Sequence, residues 1–98
     1  MAVGYVRGRR FEYEVKKKME DDGYFCVRSA GSRGLVDLLC VKKGSCPVMV
    51  QCKRSTKCSG SVLLTAFEKL SLKDLAVRHG CSAMLAWEKN GEVNCKFL

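Results

Sequence analysis

The stretch from Leu35 to Lys53 reads LVDLLCVKKGSCPVMVQCK. Leu35 to Val41 is nearly all apolar, Val48 to Lys53 follows it, and the turn between them holds Gly44 and Pro47. Short runs rich in Val and Leu, bounded by Gly and Pro, read as strands. Folded as a hairpin about Gly44, they bring Asp37 opposite Gln51, because both lie equally far from residue 44, and the two-residue period places Lys53 on the same face. An acid, an amide oxygen and an ammonium then converge. A carboxylate inside an apolar strand must be paired, hydrogen-bonded or metal-bound to stay charged, so Asp37 marks a candidate site. Gln51 and Lys53, leaving an apolar strand on one face, suit the rim of a cleft. Spacing alone is met equally well by a structural Asp37 to Lys53 ion pair at a sheet edge.

Working outward, Phe11, Val15 and Met19 recur at i, i+4 and i+8 within Arg7 to Asp22, and Gly23 follows as a stop, which predicts a helix. Glu12 sits at the edge of its buried stripe. Tyr24 to Ser29 (YFCVRS) is aromatic and β-branched and reads as a strand. On the other side, Thr65 and Glu68 form a capping box for a helix over Ala66 to His79, with Phe67, Leu70, Leu75 and Ala76 available to the core. Ser82 to Glu88 and Glu92 to Leu98 read as strands joined at Asn90-Gly91, a strong hairpin signal. Ala30 to Gly34 and Arg54 to Gly60 read as flexible loops. The order α-β-β-β-α-β-β, without repeat or linker, predicts an α/β (α+β) fold with a single mixed sheet flanked by helices. One domain over residues 1–98, with 1–6 as a flexible arm, is the expected organisation.

At 98 residues the chain suffices for one core, and a formal charge of +8 points to a polyanionic partner. The excess is lopsided: residues 1–58 hold thirteen bases and six acids, residues 59–98 five and four. No apolar run approaches the roughly 20 residues that span a bilayer, and the first ten residues lack the apolar stretch of a signal peptide. A membrane-spanning protein is therefore excluded and secretion disfavoured. The seven cysteines are odd in number and form no CxxC pair, so they read as reduced thiols rather than a zinc site or disulfide framework. His79, beside Gly80 at a helix end, reads as a complement to the helix dipole rather than a metal ligand.

Taken together, Glu12, Arg28 with the following Ser-Ala-Gly-Ser, Asp37, and the triplet Gln51-Cys52-Lys53 resemble the PD-(D/E)XK nuclease superfamily, and within it the archaeal-type Holliday junction resolvases. The likeness is ordered and multipart over residues 7–54 and continues more loosely through the second helix and the next strand. It implies a restriction-endonuclease-like fold and Mg²⁺-dependent phosphodiester hydrolysis, with Mn²⁺ as an alternative metal. By position, Asp37 would be the central metal ligand, joined by Gln51, the backbone carbonyl of Cys52 and Glu12, all hard oxygen donors. Lys53 would orient or help deprotonate the attacking water and offset charge developing on phosphorus.

Arg28 and Ser32 bracket the loop before the metal strand and are placed to contact a phosphate. Arg7, Arg9, Arg10, Arg33, Arg54 and Lys57 are candidates for sequence-independent backbone contacts, whereas Lys16, Lys17 and Lys18 equally suit a solvated helix face. Two positions depart from the family pattern. Gln51 stands where an acid is usual, which keeps an oxygen donor but removes a negative charge, and Tyr13 stands where a basic residue often follows the helical Glu. The implied function is a structure-selective endonuclease that cuts four-way DNA junctions as a homodimer, since two symmetric cuts need two sites and the chain supplies one. A repair or restriction-type nuclease acting on forks, flaps or duplex is the runner-up. A noncatalytic DNA-binding protein would not need the Glu12, Asp37, Lys53 set. The setting so implied is cytoplasmic and nucleoid-associated, in a cellular or virus-encoded context.

Overall fold

The computed structural model describes residues 3–29, 35–53, 66–89 and 91–98. Helix α1 runs over Val3–Asp21 and buries Phe11, Val15 and Met19, the three residues whose spacing predicts it. It begins earlier than expected. Residues 3–6, read as part of an arm, are helical, because no Pro interrupts them and extending a formed helix adds a hydrogen bond for each residue ordered. Beyond its end, the N–H groups of Gly23 and Tyr24 donate to the carbonyls of Glu20 and Met19 at 2.9 and 3.1 Å. This cap needs the positive φ of Gly23 (95°), and a Cβ there would also meet the Lys42 side chain at 3.3 Å.

Strands β1 (Phe25–Arg28), β2 (Leu38–Val41) and β3 (Val48–Lys53) precede helix α2 (Ala66–Arg78), and β4 (Ser82–Lys89) and β5 (Glu92–Phe97) follow it. The strands form one five-stranded sheet in the order β1-β2-β3-β4-β5. Every neighbouring pair is antiparallel except β3 and β4, which run parallel, as a connection through a helix allows. The fold is the mixed α+β architecture that the element order predicts. The β2–β3 register pairs Leu38 with Val50 and Cys40 with Val48, centring the hairpin on Gly44, whose φ is 80°. β2 is nevertheless shorter than its apolar run. Adjacent Leu35 and Val36 both pack toward α2, which the alternation of a strand forbids, so Asp37 stands at the entry to β2 rather than inside it.

α1 covers one face of the sheet, packing on Cys26, Leu38, Cys40, Val48, Val50, Met84 and Ala86. α2 covers the other over β3 and β4, where Leu72 and Ala76 meet Ala83 and Met49. Here the expected core residues change in part. Ala76 is buried and Leu75 half-buried as expected, but Phe67 and Leu70 are exposed and Leu72 is buried instead, since α2 docks on the sheet through Leu72 and Ala76 where the small Ala76 and Ala83 let helix and sheet approach closely. Phe67, Leu70 and Val77 instead form an outward stripe, each at least 66% accessible. The proposed cap residue Thr65, and Asn90 of the last turn, lie outside the described residues. The six described cysteines are all free, and Cys26 and Cys40 are buried like small apolar residues. Among the described residues no helix is long and apolar enough to cross a membrane.

Candidate active site

Asp37 is tied to both of its neighbours in the sheet. Its backbone N–H donates to the Val50 carbonyl at 2.8 Å, and its carbonyl accepts from the Ser29 N–H at 2.9 Å. Its carboxylate oxygen Oδ2 accepts from the Cys52 N–H at 2.8 Å. These bonds hold a carboxyl group only 8% accessible at the end of the sheet where β1 and β3 finish and β2 begins. Next to it, Gln51 is 7% accessible, and among the described residues its Oε1 has no hydrogen-bond partner. An orphaned buried acceptor costs about 1–3 kcal/mol, so a fold that retains one beside a carboxylate has a use for it. A hard cation meets both needs, because it takes oxygen donors and offsets the carboxylate charge. The donor set on this face therefore fits a divalent metal.

Lys53 follows Gln51 by one period on β3, beside Trp87 of β4. Its ammonium lies 3.4 Å from Glu68 on the first turn of α2. Glu68 entered the sequence reading only as a capping residue. Its approach to Lys53 joins residues 15 apart and depends on how α2 docks, which no local spacing encodes. Trp87, on the neighbouring strand, is a second residue that spacing passed over: its indole N–H is buried and has no partner among the described residues.

Glu12 reaches the same end of the sheet from α1, yet it is engaged elsewhere. Its Oε1 accepts from the Arg28 guanidinium at 3.0 Å, with both side chains under one-fifth accessible. That bond is the main cause holding Arg28 above its ordinary pKa. The same guanidinium lies 5.2 Å from the centroid of the Tyr13 ring, within cation–π range. Glu12 and Asp37 both act on the thiol of Cys52. Burial first, then the charges of Asp37 and Glu12, push that thiol far above its usual range. Among the described residues no three acidic, thiol or imidazole groups converge into a ready-made metal cage. Of the expected phosphate contacts, Arg10 is exposed on α1 and Arg28 is placed as above. Ser32, Arg33, Arg54 and Lys57 lie outside the described residues, as do the side chains of Arg7 and Arg9 on the first turns of α1.

The family model for the archaeal Holliday junction resolvase, Hjc, matches residues 4–98. The chain belongs to the Hjc family. It is 37% identical over 90 residues to the crossover junction endodeoxyribonuclease Hjc of Methanocaldococcus jannaschii, an alignment covering 91% of this chain and 64% of that protein. The chain thus spans less than two thirds of the length of that curated relative. The solved structure of Hjc from Archaeoglobus fulgidus, described as a Holliday junction resolvase, superposes with a TM-score of 0.71 at 22% identity, covering 91% of this chain and 72% of that one. At that identity the superposition speaks for the fold. The Hjc sheet with its flanking helices is therefore the frame that carries Asp37, Gln51 and Lys53 here.

Proposed function

We propose that this Hjc-family chain is a metal-dependent, structure-selective endonuclease that resolves four-way DNA junctions by phosphodiester hydrolysis. The observation that carries the reading is the buried pair of Asp37 and Gln51, an amide oxygen without a hydrogen-bond partner among the described residues beside a carboxylate, with Lys53 following on the same strand face as Gln51. Asp37, Gln51 and the Cys52 carbonyl would hold Mg²⁺ or Mn²⁺, with Glu12 joining from α1. When bound, such an ion supplies Lewis-acid polarisation of the scissile phosphate and lowers the pKa of the attacking water. Lys53 places its ammonium to orient that water and to offset charge growing on phosphorus, and Glu68 restrains its flexible stem. Arg28 offers a fork of donors to the phosphate. The net charge of +8 provides sequence-independent attraction to the backbone, which suits recognition by branch shape.

A homodimer supplies the two sites that paired incision requires. The exposed stripe of Phe67, Leu70 and Val77 on α2, with the 57% accessible Phe97 beside the sheet edge, offers an apolar surface for it. An intracellular setting follows from a DNA substrate. The test is cleavage of matched four-way junction, fork, flap and linear duplex, each with Mg²⁺, with Mn²⁺ and with chelator. Preferential metal-dependent incision of the four-way junction is expected. Equal cutting of forks, flaps or duplex would move the protein to a repair or restriction-type activity, and binding without cleavage to a noncatalytic role.

A further inference from the structure

The metal ligand set read above is incomplete as the chain stands, because Glu12 is held by Arg28. The bond is 3.0 Å long and only 16% and 18% of the two side chains is accessible, so the pair is better shielded than the exposed Lys16–Glu20 pair on the same helix. The next residue of α1, Tyr13, lies against the same guanidinium at 5.2 Å and is half exposed. Arg28 is thus gripped from two sides by consecutive residues of one helix. A carboxylate whose charge is neutralised and one of whose oxygens is occupied binds a divalent cation poorly. A guanidinium engaged by a carboxylate is likewise less available to phosphate, and a phosphodiester offers its fork two acceptor oxygens where Glu12 engages it through one.

We propose that Arg28 is a positioning residue for Glu12: it latches Glu12 in the DNA-free protein and releases it to the metal site when a phosphodiester takes the guanidinium. Tyr13 keeps the guanidinium at the site through the exchange, since its ring attracts the cation whichever anion is present. DNA and divalent cation then bind cooperatively and reciprocally, each relieving the ion pair that restrains the other. The inference rests on the proposed reading of Asp37, Gln51 and Glu12 as a metal site.

The test is Mn²⁺ binding to the full chain, followed by the electron paramagnetic resonance of free Mn²⁺. In the DNA-free protein, Arg28→Gln should tighten Mn²⁺ by about fivefold or more, and Glu12→Gln alone should change it by less than about twofold, an interaction latched out contributing little. In the Glu12→Gln/Arg28→Gln double variant the tightening should vanish. An intact four-way junction, kept uncut in a Lys53→Met background, should tighten Mn²⁺ as Arg28→Gln does, and should fail to do so when Glu12→Gln is added. If Arg28→Gln tightens Mn²⁺ equally with and without Glu12, only a bulk charge has been removed and the latch is wrong. No tightening at all overturns it too. Asp37→Asn separates the two levels of the argument: weaker Mn²⁺ binding with a flat Glu12/Arg28 cycle refutes the latch alone, whereas unchanged binding refutes the metal site on which it rests.

Discussion

Gln51→Glu restores the carboxylate usual at that position, and its consequences follow from where Gln51 lies. The residue is 7% accessible and nearly opposite Asp37. Cross-strand neighbours place their side chains about 5 Å apart. Two unit charges at about 5 Å repel by about 3 kcal/mol at an effective permittivity near 20. Protonation caps the penalty, because keeping a carboxyl of ordinary pKa about 4.3 neutral at pH 7 costs about 3.7 kcal/mol. The metal-free variant should therefore be about 3 kcal/mol less stable than wild type at neutral pH, which for a domain of this size lowers the melting temperature by about 12–24 °C. The sign with pH is fixed by linkage: the fold raises the pKa of the new carboxyl, so the cost is absent below about pH 4 and grows as pH rises until that group ionises in the folded state. Saturating Mg²⁺ at about a hundred times its Kd should return about 2.7 kcal/mol. Thermal melts at pH 4 and pH 7.5, with chelator and with Mg²⁺, measure all of this. A variant that melts like wild type in chelator at both pH values would place Gln51 away from Asp37 and remove it from the metal site.

Asp37→Asn and Lys53→Ala should each reduce junction cleavage by about 10²-fold or more while leaving junction affinity within a few-fold, as single-turnover assays beside gel-shift titrations will register; wild-type turnover in either rejects the active site. Junction affinity should fall steeply between about 50 and 200 mM salt through counterion release, and a flat response would deny the basic surface its role. Replacing Leu70 with Glu on the exposed face of α2 should convert a dimer to monomer in light scattering while the circular dichroism spectrum of the folded chain is kept, because Leu70 is 66% accessible and outside the core; an unchanged mass would move the interface elsewhere. With the native protein, alkylation read by mass spectrometry should modify exposed Cys46 and spare Cys26, Cys40 and Cys52 until unfolding, since burial pushes those three thiols upward in pKa. Labelling of Cys40 as fast as Cys46 would contradict the packing of α1 on the sheet.

Much of this was legible in one dimension because the signals are local. The period of Phe11, Val15 and Met19 determined the buried face of α1, and the symmetry of two apolar runs about Gly44 determined the β2–β3 register, at whose end Asp37 bonds Val50 and Cys52 on either side of Gln51. A hairpin register depends only on its own turn and alternation, so sequence suffices for it. The Arg28 and Glu12 positions were likewise readable, but not that they bind each other. That contact joins β1 to α1 at 3.0 Å, and only the packing of the helix across the sheet creates it. The α2 face shows the limit most plainly. Phe67, Leu70 and Ala76 all read as core, yet only Ala76 is buried, because α2 docks on the sheet through the side carrying Leu72 and Ala76, against Ala83. The same docking brings Glu68 to Lys53. Periodicity and turn chemistry thus determined the elements and the register that sets Asp37 beside β3, whereas the partners of Glu12 and Lys53 were decided by tertiary packing, since an ion pair between distant elements depends on relative orientation that no local period carries.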